Sequence, residues 1–279
     1  MADEKSKLSL IETISLAVGF TIGSGIITQT GIGIGMTGRS IFLAFLVSAV
    51  LFLISFRPLF MMSTLLPRTS AAYTYSKELI HENVGIFYAY VYFLGRLTIA
   101  IFGISFAQYL ASLIPALSGE IPQRLVALSV LTLFFAVNLF GVKAAAKLQN
   151  VMCVILIGGI LVFVICGLGQ VDYGSFFTEG FFTGGFGGFY SAVSLLYFAV
   201  GGAYIITDFA PSIRNASKVM VKVIAGVTLA VCALYMMMGV VASGSVPVAE
   251  AAGQPLTVGA QAVLPNRFLY GFFIIGACL

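Results

Sequence analysis

Two short runs of small residues interrupt long apolar stretches of this chain. Thr21-Ile22-Gly23-Ser24-Gly25-Ile26 lies in the middle of the first, and Tyr197-Phe198-Ala199-Val200-Gly201-Gly202-Ala203-Tyr204 lies within a much later one. Lipid tolerates no unpaired backbone unless protein or a cavity receives it. A helix opened at Gly23–Gly25 presents free amide N–H groups at the start of its second half, at the positive end of the dipole. Those groups favour an anion such as an α-carboxylate, and the carbonyls closing the first half favour a cation such as an α-ammonium. An amino acid backbone carries both charges a short distance apart. A continuous helix with glycines used for packing is the other reading of the first run. The second run shifts the balance, because Phe198 is placed to cover a ligand and Gly201-Gly202 let a helix open. Packing against lipid or core remains the commoner fate of a membrane phenylalanine. The candidate ligand-binding residues are Thr21, Ile22, Gly23, Ser24, Gly25, Ile26, Phe198, Ala199, Gly201 and Gly202.

Three charges stand inside apolar stretches. Arg96 falls close to the midplane of its stretch, where an arginine costs about 2.5–3.5 kcal/mol on insertion scales, so it is expected to face a cavity or a partner. Asp208 follows the second interruption by about two helical turns, placed to pair with an arginine, to titrate in a gate, or to reach the cytoplasmic mouth. Arg57, beside Pro58, is expected to snorkel to the headgroups. His81 is the only histidine and reads as a solvated loop residue. The four cysteines have no metal-type spacing and read as small hydrophobes. No nucleophile, base and metal set converges within the apolar stretches, so neither an enzyme, a metal site nor a cofactor is expected.

Only 9% of the residues are charged and 60% are hydrophobic, against roughly 25% charged in soluble domains. A water-soluble surface cannot be built from this sequence. The net charge of +4 is spread between apolar runs, which argues against nucleic acid as a partner. About 20 apolar residues cross a bilayer, and spans are expected near 10–35, 40–65, 84–114, 123–141, 148–169, 186–209 and 219–243. An eighth starts near Phe268 and is short of a full crossing at Leu279, which reads as an incomplete fold. Placing the N-terminus in the cytoplasm puts Lys5, Lys7, Arg68, Lys77, Lys143, Lys147, Arg214, Lys218 and Lys222 inside and only Arg39, Arg124 and Arg267 outside, as the positive-inside rule requires. Tryptophan is absent, leaving tyrosines such as Tyr73, Tyr75, Tyr88 and Tyr90 to supply an interface belt. The segment from Arg68 to Asn83 is expected to form a short interfacial helix.

Gly33-Ile34-Gly35-Met36-Thr37-Gly38 matches G-x-G-x-x-G, but a nucleotide site needs that run between a strand and a helix. Here it ends one span and precedes another, so its glycines are expected to serve helix packing. Two interrupted spans, one early and one about halfway through a longer protein, form the pattern expected of a secondary transporter's binding site.

The motifs taken together resemble the amino acid–polyamine–organocation (APC) permease superfamily. The first-span G-S-G-I, the later F-A-x-x-G, Ile213-Arg214-Asn215 with Lys218, and Asn138-Leu139-Phe140-Gly141-Val142-Lys143 with Gln149-Asn150 carry the resemblance. Pro67-Arg68-Thr69-Ser70-Ala71-Ala72-Tyr73 stands where that family has P-R-S-G-G-x-Y. The resemblance implies an all-α polytopic membrane fold with LeuT-like inverted five-helix repeats and discontinuous helices 1 and 6. Residues 1–279 would form one permease domain, with 1–169 as the first repeat and 183–279 as the start of a second. It implies alternating-access transport of amino acids or related amines across the cell membrane, with the lipid bilayer and a small-molecule substrate as the partners. A regulatory or non-transporting membrane chain is the alternative. The family's gating glutamate is replaced by Tyr204, which joins Arg96 and Asp208 as a gating or coupling candidate. Leu156 and Met61 stand near positions where some relatives carry coupling groups, so familiar proton coupling is not expected. Substrate identity, coupling ion and oligomeric state are left open.

Overall fold

Ser9 opens the first span. Its hydroxyl accepts the Glu12 N–H at 3.3 Å, and its own N–H donates to the Glu12 carboxylate at 2.8 Å, a reciprocal cap that satisfies two otherwise orphaned donors. α1 (Leu10–Thr21) follows, and α2 (Gly25–Thr37) resumes the span after a gap. This computed structural model describes residues 7–23, 25–96, 99–140, 142–177 and 180–278. Among them no strand forms, and the sole extended pairing is a parallel bridge between Leu8 and Ile213.

α3 (Ile41–Leu65) makes the second span, and α4 (Ala71–Tyr75) with a π turn over Ser76–Ile80 forms the expected short helix of the connecting segment. Within the expected third span the described residues form α5 (Glu82–Arg96) and α6 (Ile99–Leu113), and residues 97–98 lie outside the described residues. α7 (Glu120–Leu139) and α8 (Val142–Leu168) follow. α9 (Gly185–Val200) is the first half of the sixth span, and α10 (Ala216–Gly244) is the seventh. Five helical stretches among the described residues are long and apolar enough to cross a membrane, and Leu10–Thr21, Phe102–Leu113 and Arg267–Cys278 are shorter apolar helices.

Three details depart from expectation. The segment after Gly201 is not an α-helix but a 3₁₀ run over Gly202–Ser212. Pro211 lies within it, and its ring would clash with the carbonyl four residues back in an α-helix while supplying no N–H. At about 2.0 Å rise per residue the run reaches farther than an α-helix of equal length would. Secondly, α11 (Val248–Ala251) and α12 (Leu256–Val263) form between the last two spans, where no element was expected. Each begins directly after a proline, Pro247 or Pro255, where the missing N–H costs nothing. α13 (Arg267–Cys278) then begins the last apolar helix. Thirdly, Tyr75 is no belt residue: it is buried, and its hydroxyl donates to the Leu66 carbonyl at 2.5 Å.

The core lies where α10 packs on α3, α9 on α2 and α3, and α13 on α6 and α8. Phe45 meets Tyr235 at 5.5 Å and Phe163 meets Phe273 at 5.3 Å between ring centroids. One buried hydroxyl ties two helices within this apolar surround: Ser48 donates to the Val193 carbonyl at 2.8 Å, joining α3 to α9. By contrast, α5 and α7 expose Phe87, Phe93, Leu128 and Phe135, as helices facing hydrocarbon do. The glycines of the G-x-G-x-x-G run serve packing. A β-carbon on Gly33 would stand 2.5 Å from Ile41, and Gly38, at φ +69°, lies against the Gly180 carbonyl.

Candidate functional site

The first span breaks because its backbone is satisfied early. The Ile22 N–H closes on the Val18 carbonyl at 2.8 Å, and Ile22 then turns extended at φ −95°, ψ 115°. The Thr21 hydroxyl donates back to the Ala17 carbonyl at 2.7 Å. The Tyr235 hydroxyl, from α10, donates to the Thr21 carbonyl at 3.3 Å. Terminal carbonyls of α1, which have no partner within the helix, are thus partly taken by side chains. α2 restarts at Gly25, with the Ile26 N–H reaching the Gly23 carbonyl at 3.2 Å.

The second interruption is pressed onto the first. A β-carbon on Gly202 would lie 2.1 Å from the Phe20 carbonyl oxygen and 2.6 Å from Thr21 Cα. Only a glycine admits so close a backbone approach. Gly201 serves a neighbouring contact, where a β-carbon would stand 3.0 Å from the Phe52 ring. Farther along, the Leu8 N–H donates to the Ser212 carbonyl at 2.7 Å and the Arg214 N–H to the Leu8 carbonyl at 3.0 Å. The two broken spans are therefore joined both at their interruptions and at one end.

A cavity of about 470 Å³ opens beside this junction. Thr21, Gly23, Gly25, Ile26, Phe198, Ala199, Gly201, Gly202, Arg96 and Tyr204 line it. Ser24 lies outside the described residues. The Ile22 side chain is buried in the core and is not on the cavity wall. Phe198 lines the cavity yet is 71% exposed, so it sits at the mouth. Asp208 is elsewhere, in an adjoining cavity of about 250 Å³ with Ser70, Tyr73, Tyr88 and Tyr92. Its carboxylate faces the backbone N–H of Ala71. Tyr92 lines both cavities. The Arg96 guanidinium lies 4.3 Å from the Tyr92 ring centroid, over its face, and donates to the Tyr92 hydroxyl. Arg57 is exposed.

Several lining residues were not singled out from sequence: Gln29, Phe52, Phe56, Tyr92, Phe102 and Tyr235. Gln29 and Tyr92 had a usable signal, since each lies four residues from a candidate, Gly25 or Arg96, on the same helical face. Phe52 and Tyr235 had none, because they arrive from distant helices. The cavity is walled mainly by rings and backbone. It can enclose and orient a small molecule, and among the described residues no cluster of His, Cys, Asp and Glu could hold a metal ion.

A bundle of apolar helices around such a cavity is the architecture of a multi-pass membrane permease. The chain belongs to the amino acid permease family, whose model matches residues 8–279. It is 24% identical to the branched-chain amino acid permease BcaP of Bacillus subtilis (strain 168), over 99% of this chain and 63% of that protein. The serine/threonine exchanger SteT of the same organism is 24% identical over 83% of this chain and 53% of its own length. A probable threonine/serine transporter, YbxG, also from that organism, is 28% identical over 68% of this chain and 43% of its own. The chain thus spans less than two thirds of the length of these relatives.

Proposed function

We propose that this chain forms the substrate-binding part of a secondary carrier for amino acids or related amines, working by alternating access across the cell membrane. In this reading α1 and α2 are the two halves of the first span, and α9 with the 3₁₀ run Gly202–Ser212 are the two halves of the sixth. Residues 1–169 and 183–279 correspond to a first repeat and the start of an inverted second one. The N-terminus faces the cytoplasm, by the distribution of lysine and arginine.

The observation that carries this reading is the contact of Gly202 with the Phe20 carbonyl, next to a cavity lined by both interruptions. In lipid, backbone freed from a helix must be received by protein or by a cavity, and here both receive it. The start of α2 at Gly25 offers open amides to a carboxylate. Remaining carbonyls near the end of α1 offer acceptors to an ammonium. The amino acid permease family and the transport activities in the relatives' names support the same class of ligand. The test is binding of a panel of L-amino acids and amines to the purified protein by calorimetry, followed by uptake into liposomes. Saturable binding that Gly25→Leu removes is the expected result. A protein that folds and binds no member of the panel would overturn the proposal.

A further inference from the structure

The large cavity is electrostatically one-sided. Among the described residues lining it, Arg96 alone is charged, and none is Asp or Glu. Tyr92 holds the guanidinium through its ring face and hydroxyl, which anchors the cation without neutralising it. The acidic residue Asp208 lies in the adjoining cavity and faces the Ala71 amide. The start of α2 adds a second positive feature. A ligand in this cavity therefore meets a guanidinium and a positive helix end, while the Asp208 carboxylate acts on Arg96 from the adjoining cavity and is not part of this wall.

Gln29 supplies the other polar side chain of interest. It lies one turn into α2 and lines the same cavity. Its Oε1 is buried and has no hydrogen-bond partner among the described residues. A buried amide oxygen left unpaired is unfavourable, so a ligand hydroxyl or amide that pairs with this side chain gains an advantage over an apolar isostere. Phe52, Phe56 and Phe102 form much of the remaining wall and accommodate the carbon skeleton.

We propose that the cavity sorts amino acids by their side chains. Arg96 excludes cationic ones, and Gln29 reads a side-chain hydroxyl or amide. This inference rests on the reading of the cavity as an amino acid site. Its physical basis is that like charges brought together repel, and that selectivity can come from such repulsion as readily as from new attraction.

Two matched pairs test it on the whole chain in nanodiscs, by titration calorimetry. L-lysine and L-norleucine differ by the side-chain ammonium, and L-threonine and L-valine differ by hydroxyl against methyl. The expected result is that L-lysine binds about tenfold or more weakly than L-norleucine, because like-charge juxtaposition opposes association. Arg96→Gln should narrow that gap to about threefold or less, since the repulsive partner is gone. L-threonine should bind about threefold or more tightly than L-valine, and Gln29→Leu should remove that preference. Equal binding of L-lysine and L-norleucine by the unaltered protein overturns the charge rule even if neither variant folds. A threonine-to-valine ratio near one in the unaltered protein overturns the role of Gln29. Failure of all four amino acids to bind a folded protein overturns the underlying reading instead, and with it the charge rule.

Discussion

The carbonyl oxygen of Phe20 stands where the side chain of residue 202 would begin: a β-carbon on Gly202 would lie 2.1 Å from it. No flexible side chain can yield there, because the opposing atom is backbone. The approach fixes the two broken spans against each other and so sets the shape of the cavity beside them.

Gly202→Ala should therefore destabilise the protein and impair ligand binding. Overpacking of this kind costs about 1–3 kcal/mol, and the only relief is to part the two spans. Gly23→Ala makes the comparison, since a β-carbon there meets nothing within 4 Å. A thermal melt in detergent should show a clear drop for the first variant and little change for the second. Equal melting temperatures and affinities would refute the close junction.

Gly25→Leu addresses the ligand's own space. A β-carbon on Gly25 stands 3.3 Å from the Phe102 ring, and a leucine would extend into the cavity that both residues line. Membrane insertion should be normal, and binding should weaken by about a hundredfold or more, the scale expected when a ligand's site is sterically filled. Wild-type affinity in the Gly25→Leu protein would count against a ligand at this helix start.

Arg96 and Tyr92 can be separated by two substitutions. Arg96→Lys retains a charge but loses the planar fork that stacks on Tyr92, so binding and transport should be only partly retained. Tyr92→Phe keeps the ring face and loses the hydroxyl acceptor, and a single hydrogen bond contributes about 1 kcal/mol. Its effect should be the smaller of the two. Transport kinetics and expression measured side by side decide the matter: a fall in expression with unchanged kinetics would make Arg96 structural.

Tyr235→Phe tests the support of the broken helix end. The substitution leaves the ring packed on Phe45 and removes the donor to the Thr21 carbonyl. Stability should fall by about 1 kcal/mol, with affinity reduced about threefold to tenfold if that carbonyl helps shape the site. An unchanged melt together with unchanged affinity would show the hydrogen bond to be incidental.

Local features of the sequence already marked the two interruptions. Gly23, Gly25, Gly201 and Gly202 stand out in apolar runs because backbone conformation is a local property, and apolar run lengths gave most of the spans for the same reason. Arg96 was singled out as a lone cation in an apolar stretch, and it stands on the cavity wall as an exposed residue. Tertiary structure alone decided the rest. Tyr235 reaches Thr21 from a helix more than two hundred residues later, and Phe52 closes on Gly201 from α3. No local spacing encodes such contacts. Ile22 and Gly23 are neighbours in one turn of chain, yet one side enters the core and the other the cavity. That partition depends on how α1 is rotated against the sixth span. It is fixed by the backbone approach at Gly202, not by the residues' own preferences.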